Sequence, residues 1–189
     1  MAVDGARLRY VDPAAADRLL QALAEYGAEF SLRVHEPPRH ARHLAALWQV
    51  PLYEAGRATL LAADGVPLLA VVPADRKIGA PRLRAFLGAA DLRVLRGDRG
   101  VGRIGWSGLP APPGALPAVP AMFGARGLLD ELALRSPRLV IALDGTRSIA
   151  VAPADYLRAA GVEPARFTGT TRLLPGGGMV EDDPYQATP

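Results

Sequence analysis

Hydrophobic positions along the chain fall into stretches of helical spacing separated by stretches that alternate. Asp12-Pro13 reads as an N-cap followed by proline in the first helical turn, and Leu19, Leu20 and Leu23 recur at helical spacing until Gly27 stops the run. Residues 30–35 (FSLRVH) alternate as a strand, and residues 39–48 place Leu44, Leu47 and Trp48 on one helical face. Residues 57–63 and 66–72, joined by Asp64-Gly65, read as a hairpin at the centre of a sheet. Pro81 opens a short helix carrying Leu83, Phe86 and Leu87, which Gly88 closes, and an alternating strand follows over residues 92–95.

The character then changes. Ten of the 21 residues from 100 to 120 are Gly or Pro, a density that forbids a long helix and disfavours a paired central strand, so a rigid irregular loop is expected. Beyond it, residues 127–134 (GLLDELAL) predict a short helix, and residues 138–143 and 147–152 predict a second hairpin around Asp144-Gly145. Pro153 opens a last helix that runs to Ala160. The rest lacks periodicity and predicts an extended or mobile tail. These elements predict one α+β domain with a mixed sheet.

With 189 residues, half of them apolar, the chain can bury a core as a single domain. It has no cysteine, which excludes disulfides, thiolate metal sites and cysteine nucleophiles. Of the 22 basic residues only Lys77 is lysine; the others are arginine. The net charge is +3, but Glu181, Asp182 and Asp183 lie in the tail, and without them 16 acids face the same 22 cations. That excess suits an anionic partner such as RNA. The first ten residues carry acid and arginine where a signal peptide needs an apolar core, and no stretch approaches a membrane span, so a cytoplasmic location without a membrane partner is expected.

Few motifs carry chemistry. Gly100, Gly102 and Gly105 spell G-x-G-x-x-G, but the proline-rich sequence behind them cannot open the helix a dinucleotide site needs. Ser107 lies in GWSGL, where Leu109 replaces the last glycine of a nucleophile elbow. His35, His40 and His43 cluster, and the last two are spaced to share a metal, yet no carboxylate lies in helical register with them; neither metal nor cofactor is expected. Trp48 reads as core, whereas Trp106, inside the loop, can stack on a base. The loop itself can present successive N–H groups as an anion nest or oxyanion site without any side chain.

The ordered set of segments resembles the YbaK family, the prolyl-tRNA-synthetase-associated domains, over about residues 30–160. The resemblance rests on VHEPP with His35, the hairpin RATLLAADGVPLLAVVPAD, RLRAFLGAADLRVL, GWSGLPAPPGAL, the LLDEL segment taken as a helix, and RLVIALDGTRSIAVAPADYL. It implies a YbaK-like α+β fold, a single domain with a central mixed, partly barrel-like sheet flanked by helices. It sets the editing domain at residues 1–162 and an extended or mobile tail at 163–189.

The resemblance further implies hydrolysis of the ester between a mischarged small amino acid and the tRNA 3′ end, as in trans-editing deacylases that serve translation fidelity. The partner would be a tRNA acceptor end with its amino acid attached, and an aminoacyl-tRNA synthetase is a further partner the family suggests. Gly108 and Pro112 fit the family's G-x-x-x-P loop and, with Arg57, are the expected catalytic positions. His35, Trp106, Ser107, Gly114 and Asp130 are expected on the substrate, with Asp130 also readable as a supporting helix residue. The family's lysine at the start of the hairpin is replaced by Arg57, and its threonine after the histidine is missing near His40 and Ala41. Three readings therefore stand: a divergent deacylase, a non-catalytic module binding acceptor ends or an aminoacyl-like small molecule, and, behind these two, a metal-dependent hydrolase using the histidine cluster.

Overall fold

The computed structural model describes residues 11–94, 115–173, 179–182 and 185. Helix α1 (Ala15–Glu25) turns Ala15, Ala16, Leu19 and Leu23 inward, and the Asp12 carboxylate accepts the Ala14 N–H at its start. Strand β1 (Phe30–Val34) leads into helix α2 (Ala41–Trp48). Strands β2 (Gly56–Ala63) and β3 (Val66–Pro73) form the predicted hairpin, with Arg57 opposite Val72. Asp64 and Gly65 both take positive φ, 47° and 82°, as a two-residue turn matched to strand twist requires. Helix α3 (Ala80–Leu87) and strand β4 (Leu92–Val94) follow as expected.

The segment predicted as a helix over residues 127–134 is instead strand β5 (Arg126–Asp130), followed by a single 3₁₀ turn at Ala133–Arg135. It lies between two parallel neighbours and is buried on both faces, so its apolar residues run continuously rather than alternate. A Cβ on Gly127 would sit 2.6 Å from Pro120 and 2.7 Å from Val162, so the glycine marks close strand packing. Strands β6 (Leu139–Ala142) and β7 (Arg147–Val151) form the second hairpin, and helix α4 (Pro153–Ala160) closes on Gly161.

The stretch after Gly161 is extended, and residues 162–168 with Tyr185 pack on the domain. Strand β8 (Val162–Ala165) joins β5, Phe167 and Tyr185 are buried, and β9 (Thr170–Leu173) pairs with β10 (Met179–Asp182). A boundary at 162 therefore falls at the start of a sheet strand.

Two larger sheets result, one ordered β4-β2-β3-β5-β8 and the other β1-β7-β6, with a bridge between Ala55 and Val140. The architecture is the α+β domain with a mixed central sheet that the resemblance implies; among the described residues that sheet is open rather than closed into a barrel. Leu60, Leu69, Val71 and Leu129 from one sheet meet Leu139, Ile141, Ile149 and Val151 from the other, with α1 and α4 completing this core. Leu83 of α3 and Phe167 cover the opposite face of the five-stranded sheet. Helix α2 wedges between the sheets: Leu44 and Trp48 pack on Val140 and Ala142, while Ala41 and Ala45 pack on Ala55 and Ala74.

Candidate functional site

His35 follows β1 directly, its backbone N–H donating to Thr146 O at 2.8 Å. Its Nδ1 lies 2.8 Å from the Glu36 carbonyl and its Nε2 lies 2.7 Å from Ser148 Oγ. A carbonyl only accepts, so Nδ1 carries the proton and the neutral ring's Nε2 accepts from the Ser148 hydroxyl. Ser148, fully buried on β7, in turn accepts the Trp48 indole N–H at 2.7 Å. The chain Trp48 to Ser148 to His35 thus fixes tautomer and ring orientation. Both ring nitrogens are engaged, which suits a wall of a pocket better than a free general base.

Arg57, at the start of β2, donates from Nη2 to the Arg76 carbonyl. Its Nε is buried with no partner among the described residues, and no carboxylate there pairs with it. Burial and the neighbouring Arg42 charge on α2 both pull its pKa below the usual guanidinium value. Two cations so placed form a site of positive potential that an anion can complete. Helix α2 supplies more: His40 caps it by accepting the His43 N–H at Nδ1, 3.0 Å, and His43 Nδ1 accepts the Arg39 N–H at 3.1 Å. Here the paired histidines serve the backbone at the helix entrance.

Ala115, the first described residue of the Gly/Pro loop, is tied to this region, because its N–H donates to the Pro38 carbonyl at 2.8 Å and it packs near Leu44 and Trp48. Trp106, Ser107, Gly108, Pro112 and Gly114 themselves lie outside the described residues, as does the G-x-G-x-x-G run. Helix α2 thus carries both Arg42, whose charge acts on Arg57, and Trp48, which reaches His35 through Ser148, while the Ala115 N–H meets the 35–38 turn at Pro38.

Asp130 makes its described contacts on another part of the fold. It stands at the end of β5, not on a helix, fully buried, and accepts N–H groups of Leu132 (3.0 Å), Phe167 (3.0 Å) and Thr168 (2.8 Å) together with the Tyr185 hydroxyl. Burial and the Asp130 charge raise the Tyr185 phenol above its ordinary range. Every described partner of Asp130 belongs to this chain, so its carboxylate ties β5 to the segment after β8. Sequence reasoning missed Ser148 and Trp48 as the supports of His35; a buried serine at alternating register in RSIAV was the available signal.

A groove of about 880 Å³ opens along β1, lined by Ser31, Arg33, Trp48, Arg138, Ala150 and Asp155. Neither His35 nor Arg57 lines it. Among the described residues, no cluster of three or more His, Cys, Asp or Glu is placed to hold a metal, and no helix is long and apolar enough to cross a membrane.

The family model described as the aminoacyl-tRNA editing domain matches residues 35–159, a span that opens on His35 and contains Arg57. A solved structure of a candidate trans-editing enzyme for prolyl tRNA synthetase superimposes with a TM-score of 0.61 at 17% identity, covering 82% of this chain and 96% of that one. That of the hypothetical protein APE2540 gives 0.65 at 18% identity, covering 80% and 99%. At these identities the likeness establishes the fold. No curated protein sequence matches the chain. The model match spans well over half of the residues and includes the turn, helix and hairpin just described: the chain belongs to the aminoacyl-tRNA editing domain family, of the YbaK type.

Proposed function

We propose that the protein hydrolyses the ester joining a small, wrongly attached amino acid to the 3′ end of a tRNA, acting in the cytoplasm and in trans to a synthetase. The observation that carries this reading is the family match over the segment that holds His35 and Arg57 together. In the reaction, water oxygen bonds to the ester carbonyl carbon, the bond to the ribose oxygen breaks, and the ribose oxygen leaves with a proton. Free amino acid and uncharged tRNA result. Arg57, whose unpartnered Nε–H and permanent charge suit a phosphate or carbonyl oxygen, orients the substrate. His35, held by Ser148, forms a wall, and Trp106 and Ser107 contact the terminal nucleotide or amino acid. The loop N–H groups around Gly108, Pro112 and Gly114 meet the charge that develops on the carbonyl oxygen. Asp130 acts at one remove by holding the sheet end.

The test is deacylation of a panel of mischarged tRNAs by the purified protein beside Arg57→Ala. Cleavage above the spontaneous rate for at least one member, lost in the variant, is expected; no cleavage of any member overturns the enzymatic reading. A second reading, a module that binds acceptor ends without turnover, is favoured by the engagement of both His35 ring nitrogens. It expects binding that weakens steeply with salt as phosphate contacts release counterions, and no product.

A further inference from the structure

Strand β1 has one neighbour, β7, and its other edge is open among the described residues. The bond from His35 N–H to Thr146 O fixes the alternation: Ser31, Arg33 and His35 turn their backbone groups toward β7. Phe30, Leu32 and Val34 therefore turn theirs to the open edge. Four of the five residues of β1 are exposed, including Leu32 at 45% and Val34 at 77%. A free edge bearing apolar side chains is a template for another strand, and no proline or lysine blunts this one.

The sequence around the edge is self-complementary. In an antiparallel pairing of two copies centred on Ser31, Phe30 meets Leu32 of the other copy, Ala28 meets Val34, and Glu29 meets Arg33. The outward backbone groups of Phe30 and Leu32 face each other in this register. Glu29 is exposed and has no ion-pair partner among the described residues, whereas Arg33 lies over the Trp48 ring with one nitrogen on the Leu47 carbonyl and donors to spare. A register centred on Arg33 would instead place like charges opposite one another.

We propose that β1 is a homodimerisation edge: a second copy of this chain adds its own β1 antiparallel, centred on Ser31, to make one continuous six-stranded sheet. The contact is isologous, so each Glu29–Arg33 pair occurs twice, and the same two-fold covers Leu32 and Val34 on both copies. This surface is independent of the proposed deacylation.

Sedimentation of the full chain across a wide concentration range tests it. Wild type is expected to pass from monomer to dimer. Glu29→Arg and Arg33→Glu are each expected to weaken the dimer by about tenfold or more, because each creates two like-charge pairs. The double variant E29R/R33E restores the pairs in reverse and is expected to dimerise again, which also controls for folding. Amide exchange supplies the second readout: Leu32 N–H gains protection with concentration, while Arg33 N–H is protected at every concentration by β7. A wild type that stays monomeric throughout, or a dimer in which the double variant remains as weak as the singles, overturns the proposal.

Discussion

Replacing Ser148 by alanine removes the one atom that holds both Trp48 and His35. The hydroxyl is fully buried, 2.7 Å from the Trp48 indole nitrogen and 2.7 Å from His35 Nε2. The two losses are unequal. His35 is half-buried, so its freed acceptor can take water at a cost of about 0.5 kcal/mol. Trp48 is only 7% exposed, and its N–H, left without an acceptor in a packed site, costs about 1–3 kcal/mol. The sum, about 2 kcal/mol, is a large share of a stability of about 5–15 kcal/mol. The assay is a double-mutant cycle by urea unfolding with Trp48→Phe, which has no N–H to orphan. In that background Ser148→Ala should cost about 0.5 kcal/mol or less, giving a coupling of about 1–2 kcal/mol. Ring ¹⁵N shifts add an independent check: the Glu36 carbonyl keeps Nδ1 protonated in both proteins, and only the Nε2 shift should move in Ser148→Ala as water replaces the hydroxyl. Equal costs of Ser148→Ala in both backgrounds would refute the reasoning.

Asp130→Ala should destabilise by about 2 kcal/mol or more, because it orphans the Leu132 and Phe167 N–H groups while Thr168 N–H keeps the Tyr185 hydroxyl as acceptor, whereas Tyr185→Phe should cost about 1 kcal/mol; urea midpoints compare them. Gly127→Ala should cost about 2 kcal/mol or more, since the added Cβ meets Pro120 and Val162 at under 3 Å, read from the thermal midpoint. Desolvation of Asp144 is outweighed by hydrogen bonds from Thr146 and Arg147, so its folded pKa lies below the ordinary 3.8. Its contribution is therefore present above pH 3.8 and lost as pH falls through the folded value, and Asp144→Asn should flatten the acid limb of stability against pH. Arg57→Lys should add an alkaline limb to tRNA binding, read by titrating affinity against pH, because burial beside Arg42 lowers an ammonium pKa from about 10.4.

Both Asp-Gly hairpins were legible because a turn dipeptide separates two apolar runs of strand length, and Asp64 and Gly65 take the positive φ their identities favour. β5 was not legible. Gly127-Leu128-Leu129-Asp130 is short, apolar and buried on both faces, and such a run has no period to separate strand from helix; parallel partners 58 residues earlier and 35 later decide it. Strand β8 was hidden for the same reason, since Val162-Glu163-Pro164-Ala165 gains strand geometry only from its position beside β5. At the site, His35 and Arg57 were legible as chemistry-bearing types at element ends. What holds them was not, because the Ser148 and Pro38 contacts join positions far apart in sequence.

The single lysine, Lys77, is 20 positions further along the sequence, next to the Arg76 carbonyl that Arg57 bonds; where the family resemblance expects a lysine, the chain has Arg57. The surroundings give that exchange a physical sense. An ammonium half-buried beside Arg42 would be pushed toward neutrality by desolvation and like charge together. A guanidinium under the same two pressures is lowered from its ordinary value yet stays protonated across the physiological range. Its Nη2 bond to the Arg76 carbonyl also anchors the planar group along the turn after β3, with the Nε–H buried and unpartnered among the described residues. Arginine here preserves charge at the expense of compactness, so the exchange should leave attraction for an anion intact and act on how closely the substrate carbonyl can approach. In that case the cost of the replacement falls on turnover and selectivity between amino acids, and the tRNA end continues to bind.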